Sequence, residues 1–214
     1  MIINWFDHSF FKIETQNKII AIDPFNEEKL GNKPSRFKAD IALSTHDHPG
    51  HNNIDLIMGS PFILNTPGEI EFNGVFIKGI DTYHDNDDGT KFGKNTIFII
   101  DSENIRLVHL GDFGEKKIKD DLLEKIGSVD ILLIPIASKY RTQPIEEAIN
   151  IIKQIEPRII IPMHYGSSQD KNDLEKFIKE IGLPPEKMEK LNIKRNNISD
   201  DEDAQMQLIV LENN

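Results

Sequence analysis

The order of two hydrophobic patterns limits what this chain can fold into. Its first half is a succession of short β-type runs: Ile2–Phe6, Phe10–Glu14, Lys18–Ile22, Ile41–Leu43, Phe62–Leu64, Glu69–Phe72, Val75–Ile80, Thr96–Ile100 and Ile105–Leu110. Turn-prone residues separate them, and Asn73-Gly74 marks a hairpin between two of them. The second half alternates helix and strand. Lys119–Ile126 has apolar residues at helical spacing, and Ile131–Ile134 reads as a buried strand. Pro144 opens a helix through Ile155, with Glu146 and Glu147 near its positive end. Arg158–Ile161 is a strand, Asp173–Ile181 a helix stopped by Gly182 and Pro184, and Met206–Leu211 a closing strand. No internal repeat interrupts this order. It predicts a mixed α/β fold with two β-layers and helices outside, and 214 residues suit one domain spanning 1–214.

Charge and composition exclude several roles. Lys plus Arg is 25 and Asp plus Glu is 36, so the net charge is −11. Such a chain is repelled by phosphate at long range, which argues against nucleic acid and anionic membranes as partners. Lys29, Lys33, Arg36 and Lys38 form the one basic cluster and read as a solvated loop, as does the acidic run Ser199 to Asp203. With no cysteine there is no thiol nucleophile, disulfide or thiolate metal site, so any metal must be held by His and Asp or Glu. The N-terminus lacks a signal-peptide pattern and no apolar run approaches the ~20 residues of a membrane span, so a cytoplasmic location is expected.

The seven histidines are unevenly placed. His46, His48 and His51 fall within six residues, directly after the apolar strand Ile41–Leu43. Three imidazoles at a strand's carboxyl end form a natural transition-metal site. His84, Asp112 and His164 each follow a buried strand and a turn signal, and with the cluster they make a plausible two-metal site. Zinc suits such nitrogen and oxygen donors, in one or two ions per chain, and manganese or iron also fit.

These residues lie in blocks that resemble the metallo-β-lactamase superfamily, specifically its small bacterial metal-dependent hydrolase branch, related to ascorbate-6-phosphate lactonases. The blocks are Trp5-Phe6-Asp7-His8-Ser9, Ile22-Asp23-Pro24-Phe25, His46 to His51, Thr66-Pro67-Gly68-Glu69, Gly93-Lys94-Asn95-Thr96, His109-Leu110-Gly111-Asp112 and Pro162-Met163-His164-Tyr165-Gly166. The resemblance implies a four-layer αββα sandwich with the metal site at one edge. It implies that His46, His48 and His84 bind a first metal, that His51 and His164 bind a second, and that Asp112 bridges them. A hydroxide held between the metals would be the nucleophile. Asp112 and His8 are thus the expected catalytic positions, with His8, Asp23 and His109 orienting ligands or lining the pocket.

One position departs from the family motif. Gly50 stands where the motif has an Asp that binds the second metal. Asp47 alternates with His46 and His48 and should point away; Asp7, beside His8, could supply a carboxylate, but a water molecule in the vacant position is the preferred reading. The expected function is a metal-dependent hydrolase of an ester, lactone or phosphoester-type small molecule, with a weakened second site. The alternative is a catalytically impaired metal-binding protein with a binding or regulatory role. A nuclease or phosphodiesterase is disfavoured by the charge. Tyr165 and Tyr140 are candidates for a hydroxyl near the site. Lys139 and Arg141, in Ala137 to Thr142, could meet an anionic substrate.

Overall fold

Burial alternates along the first strands, and this makes a two-faced sheet. In the computed structural model, β1 (Ile2–Trp5), β2 (Phe11–Thr15) and β3 (Lys18–Ile22) form an antiparallel meander. β4 (Ile41–Leu43) and β5 (Phe62–Leu64) add to it in parallel. Ile20 and Ile22 turn into the main core, whereas Ala21 between them faces the opposite side. That outer side is covered by an aromatic cluster in which Phe10, Phe25, Phe6 and Phe37 pack on Ala21. The structure describes residues 1–26, 35–137, 144–165, 172–199, 201 and 204–213. Lys29 and Lys33 of the basic cluster lie outside them, as do Lys139, Tyr140, Arg141 and Gly166.

The second sheet begins with β6 (Gly68–Phe72), β7 (Val75–Tyr83), β8 (Lys94–Ser102) and β9 (Ile105–His109), all antiparallel. β10 (Ile131–Pro135) and β11 (Ile159–Met163) continue it in parallel, and every residue of both is buried. The connections carry α1 (Asp120–Ile126), α2 (Pro144–Ile155) and α3 (Asp173–Ile181). α2 buries Ala148, Ile151, Ile152 and Ile155 along one stripe, and α3 stops at Gly182 in the left-handed conformation. β12 (Pro185–Met188) and β14 (Gln207–Leu211) pair in parallel at the far edge. β13 (Lys190–Asn192) crosses over and pairs with β1, so the orders are β13-β1-β2-β3-β4-β5 and β12-β14-β11-β10-β9-β8-β7-β6.

Two features differ from the pattern reading. β7 and β8 extend beyond Val75–Ile80 and Thr96–Ile100 because they pair over Phe76↔Asp101 to Tyr83↔Lys94, and an Asp81–Lys94 ion pair of 2.7 Å ties the polar end. β12 and β13 have no apolar run to announce them, and their pairing partners alone make them strands. The mixed α/β expectation with two packed β-layers holds: one core cluster joins Ile3, Phe11, Ile13 and Ile20 of the first sheet to Phe98, Leu107 and Leu133 of the second. Among the described residues no helix is long and apolar enough to cross a membrane.

This topology fixes the site. β1, β3 and β4 run in one direction within their sheet, and β7, β9 and β11 run together in theirs. The segments leaving the carboxyl ends of all six carry His8, Asp23, His46 to His51, His84, Asp112 and His164. Alternation along β2 is directly testable. Ile13→Ala should cost ~2–5 kcal/mol because Ile13 is fully buried in the core, while Lys12→Ala on the other face should cost less than ~1 kcal/mol. Chemical denaturation of the two variants measures this, and equal losses would contradict the assigned faces.

Candidate metal centre

Asp23 is fully buried and organises the first half of the site. Its Oδ1 accepts the Thr45 N–H at 2.7 Å, and its Oδ2 accepts the Thr45 hydroxyl at 2.7 Å and His51 Nδ1–H at 2.8 Å. Burial opposes its charge, but the His51 ring lies against it and holds its carboxyl below the usual range. The contacts set two ring orientations. The Thr45 hydroxyl spends its one proton on Asp23, so at 3.0 Å it must accept from His46 Nδ1–H. That leaves the lone pair of His46 on Nε2, which is buried and has no hydrogen-bond partner among the described residues. His51, held through Nδ1, aims Nε2 at the same space.

Asp112 organises the second half. Its Oδ2 lies 3.0 Å from His84 Nε2, 3.3 Å from His164 Nε2 and 3.4 Å from His51 Nε2. Its Oδ1 is buried with no hydrogen-bond partner among the described residues. Burial would raise its pKa, but the His164 and His51 rings override this and hold it well below the carboxylate range. Asn95 clamps the turn: its Oδ1 accepts Asp112 N–H at 2.9 Å, while its Nδ2 donates to Thr82 Oγ1 and Leu110 O, both at 2.9 Å. Gly111 has φ +58, and a Cβ there would lie 2.8 Å from that of Thr45. Only glycine lets the Asp112 turn approach the Thr45 turn so closely.

The structure therefore brings the expected residues together in overlapping groups. Ring nitrogens and carboxylate oxygens approach within 4.8 Å in His46-His48-His51, in His46-His84-Asp112 and in His8-His51-His164. His48 is the most open member, and its Nδ1 accepts Gly50 N–H at 3.2 Å. Asp47 is exposed, with its carboxylate accepting from Asn52 Nδ2, and so points away as its alternation predicts. Asp7 belongs to none of these groups; its Oδ1 accepts His8 N–H at 2.7 Å. His109 also stands apart. Its Nδ1 accepts Gly111 N–H at 3.0 Å, so Nε2–H donates to Ser9 O at 3.2 Å, and burial pushes its pKa down. It joins β9 to the loop that carries His8. Tyr165 packs against Trp5 with ring centroids 4.9 Å apart, and burial beside Asp7 keeps its hydroxyl protonated.

Three contributors were not singled out by sequence reasoning. Thr45 and Asn95 are buried polar residues beside recognisable motifs, and that coincidence was their only signal. Phe92, 37% exposed, stands edge-on to His84 at 5.6 Å and forms an apolar wall beside the site. Its loop is folded around Asp85, whose carboxylate accepts backbone N–H groups of Asp87, Gly89, Lys91 and Phe92. Nothing in the sequence pattern marks Phe92.

The donor set fits a metal. Four buried polar atoms of these grouped residues have no hydrogen-bond partner among the described residues: His8 Nδ1, His46 Nε2, His51 Nε2 and Asp112 Oδ1. Leaving such atoms unpaired in a protein interior costs ~1–3 kcal/mol each, which coordination would relieve. Two grooves lie elsewhere, around Asp130 and Arg158 where β10 and β11 begin, and no histidine lines them.

Known proteins resemble this chain. A family model for a beta-lactamase superfamily domain matches residues 2–164. A UPF0173 metal-dependent hydrolase of Thermoplasma volcanium is 33% identical over 196 residues, covering 77% of this chain and 83% of that protein. A second, from Methanopyrus kandleri, is 26% identical and covers 87% of this chain and 95% of its own. Among solved structures, a Thermotoga maritima protein assigned as a Zn-dependent hydrolase of the metallo-β-lactamase superfamily superposes with a TM-score of 0.75. It is 28% identical, and 99% of each chain is covered.

The metal-free site has a distinctive protonation pattern. Burial opposes a charge on His51, but Asp112 and Asp23 on either side raise its pKa to about 10. Burial and the neighbouring His51 lower His46 to about 3. The folded value of His51 exceeds the ordinary 6.5, so its stabilising contribution is complete below 6.5 and is lost as pH rises through about 10. Nitrogen NMR of the metal-free chain at pH 8 should show a doubly protonated His51 ring and a neutral His46 ring. A neutral His51 at that pH would contradict the flanking-carboxylate account.

Proposed function

The chain belongs to the beta-lactamase superfamily, and on that premise we propose that it is a metal-dependent hydrolase of a small molecule, acting at an ester, lactone or phosphoester-type bond. The observation that carries this reading is the Asp112 carboxylate, whose Oδ2 lies within 3.4 Å of imidazole nitrogens from three different strand ends. One oxygen shared by several imidazoles is what a bridging ligand requires. In this reading His46, His48 and His84 hold one metal, His51 and His164 contribute to a second, and Asp112 serves both. The nitrogen and oxygen donors suit zinc best, and manganese or iron are the other fitting ions. When bound, the metal supplies a Lewis acid and lowers the pKa of a water to ~7.

The chain's own residues do the positioning. Asp23 orients His51 directly and His46 through Thr45, so Nε2 of both rings is turned into the site and neither ring can rotate without breaking a buried bond. Phe92, exposed and edge-on to His84, offers an apolar contact to substrate. A net charge of −11 supports a small substrate over nucleic acid. Gly50, which supplies no donor, is the observation favouring the second reading, a metal-binding protein with a binding or regulatory role.

Turnover separates the two. A panel of esters, lactones and phosphodiesters with added Zn²⁺ or Mn²⁺ should yield a hydrolysed member, with activity lost on chelation and regained on adding zinc. Asp112→Asn should lower kcat/KM by at least ~100-fold, since it removes the shared ligand charge. Thr45→Val should weaken zinc binding by ~10–100-fold while leaving the Asp23–His51 bond in place. Stoichiometric zinc binding with no turnover of any class would establish the binding role instead.

A further inference from the structure

Position 50 offers no side chain, yet the space beside it is filled. A Cβ built on Gly50 would lie 2.9 Å from His8 Nε2 and 3.4 Å from His8 Cδ2. Any side chain at 50 would therefore meet the His8 ring. That ring is placed deliberately. His8 sits on a turn where Asp7 and His8 have φ of 80° and 53°, conformations that cost non-glycine residues ~1–3 kcal/mol each. The turn is pinned on three sides: Trp5 Nε1–H donates to His8 O at 3.0 Å, His164 N–H donates to the same oxygen at 2.9 Å, and His109 Nε2–H donates to Ser9 O at 3.2 Å. The His8 ring is 5% exposed, its centroid is 3.9 Å from that of His164 and 4.9 Å from that of His51, and its Nδ1 has no hydrogen-bond partner among the described residues.

We infer that His8 is a direct ligand of the second metal, its imidazole standing where position 50 supplies no donor. This rests on the two-metal reading above. It gives that site three imidazoles, His8, His51 and His164, whose ligand atoms lie within 4.8 Å of one another, together with Asp112. The unpartnered Nδ1, the pinned turn and the Nε2–Cδ2 edge that fills the space beside Gly50 then have one explanation. A metal also resolves the crowding of the three rings, because neutral imidazoles converge without penalty on a cation they share. The exchange has a selectivity consequence. Trading a carboxylate for an imidazole shifts the donor set towards nitrogen, which favours zinc over manganese at this site.

The test is metal content and affinity of the full chain, read by elemental mass spectrometry and equilibrium dialysis against Zn²⁺ and Mn²⁺. The wild-type chain should hold about two zinc ions. His8→Ala and His8→Gln should keep the first ion and lose affinity for the second by ~10–100-fold. His8→Ala with Gly50→Asp should regain the second ion, now with manganese competing more strongly, because a carboxylate enters the space the ring leaves. X-ray absorption at the zinc edge should lose imidazole scattering in His8→Ala. Two zinc ions bound with unchanged affinity in both His8 variants would overturn the inference while leaving the hydrolase reading intact. A wild-type chain that binds only one zinc would overturn it as well. Failure of the hydrolase reading shows separately, as absent turnover in a chain that still loses its second zinc when His8 is replaced.

Discussion

A buried carboxylate at the end of β3 underlies much of this structure. Asp23 has no exposure to water, so its charge survives only because donors surround it: one backbone N–H, one hydroxyl and one imidazole. Those donors come from the segment that follows β4. Asp23 N–H in turn donates to Leu43 O at 3.0 Å, which extends the β3–β4 pairing past the strand ends. The left-handed φ of 52° at Asp23 bends the chain so that its side chain meets the His46 to His51 loop. Removing the carboxylate would leave Thr45 and His51 with buried unpaired groups, and would release two rings at once. The orientation of His46 and His51 is thus a property of one residue that touches neither Asp112 nor any substrate.

The two halves of the site are built by opposite means. On the first sheet, a buried carboxylate aims rings inward. On the second, rings surround a buried carboxylate, and the backbone around it is set by Asn95 and Gly111. The halves meet where His51 lies between Asp23 and Asp112, at 2.8 and 3.4 Å. A ring bracketed by two carboxylates gains a proton in the metal-free chain, and a metal bound to that ring would expel it. Metal affinity would then be linked to pH through the same contact that joins the two sheets.

Much of this was legible in the sequence, for identifiable reasons. Strands with alternating or continuous apolar runs, and helices bounded by Pro144, Gly182 and Pro184, carry their periodicity locally, so their positions could be read directly. The candidate ligand residues could be read because histidine is rare here and three fall in one loop. The expected two-layer fold and family follow, as the match over residues 2–164 bears out. What could not be read depends on distant packing. β13 is a strand because β1 needs an edge partner, not because Lys190–Asn192 favours one. Asn95 and Phe92 act through turns that only the folded sheet brings beside Asp112 and His84. The place of His8 depends on how the β1–β2 turn meets Gly50, forty-odd residues away, and no spacing rule reports that meeting.

The turn between β1 and β2 also shows why position 8 can hold a ring so firmly. Two consecutive left-handed residues are unfavourable in isolation, and His164, itself at φ 60°, adds a third. The strain is tolerated because His164 N–H donates to His8 O, so each unusual conformation satisfies a backbone group of the other. The carboxyl ends of β1 and β11, which belong to different sheets, are joined by this bond. Relaxing either residue to a right-handed conformation would break the bond and part the two rings, whose centroids are 3.9 Å apart. The strained backbone therefore supports an arrangement whose benefit lies in the rings. Packing alone would not require two imidazoles tilted against each other at this distance beside a glycine, whereas a cation they shared would account for it.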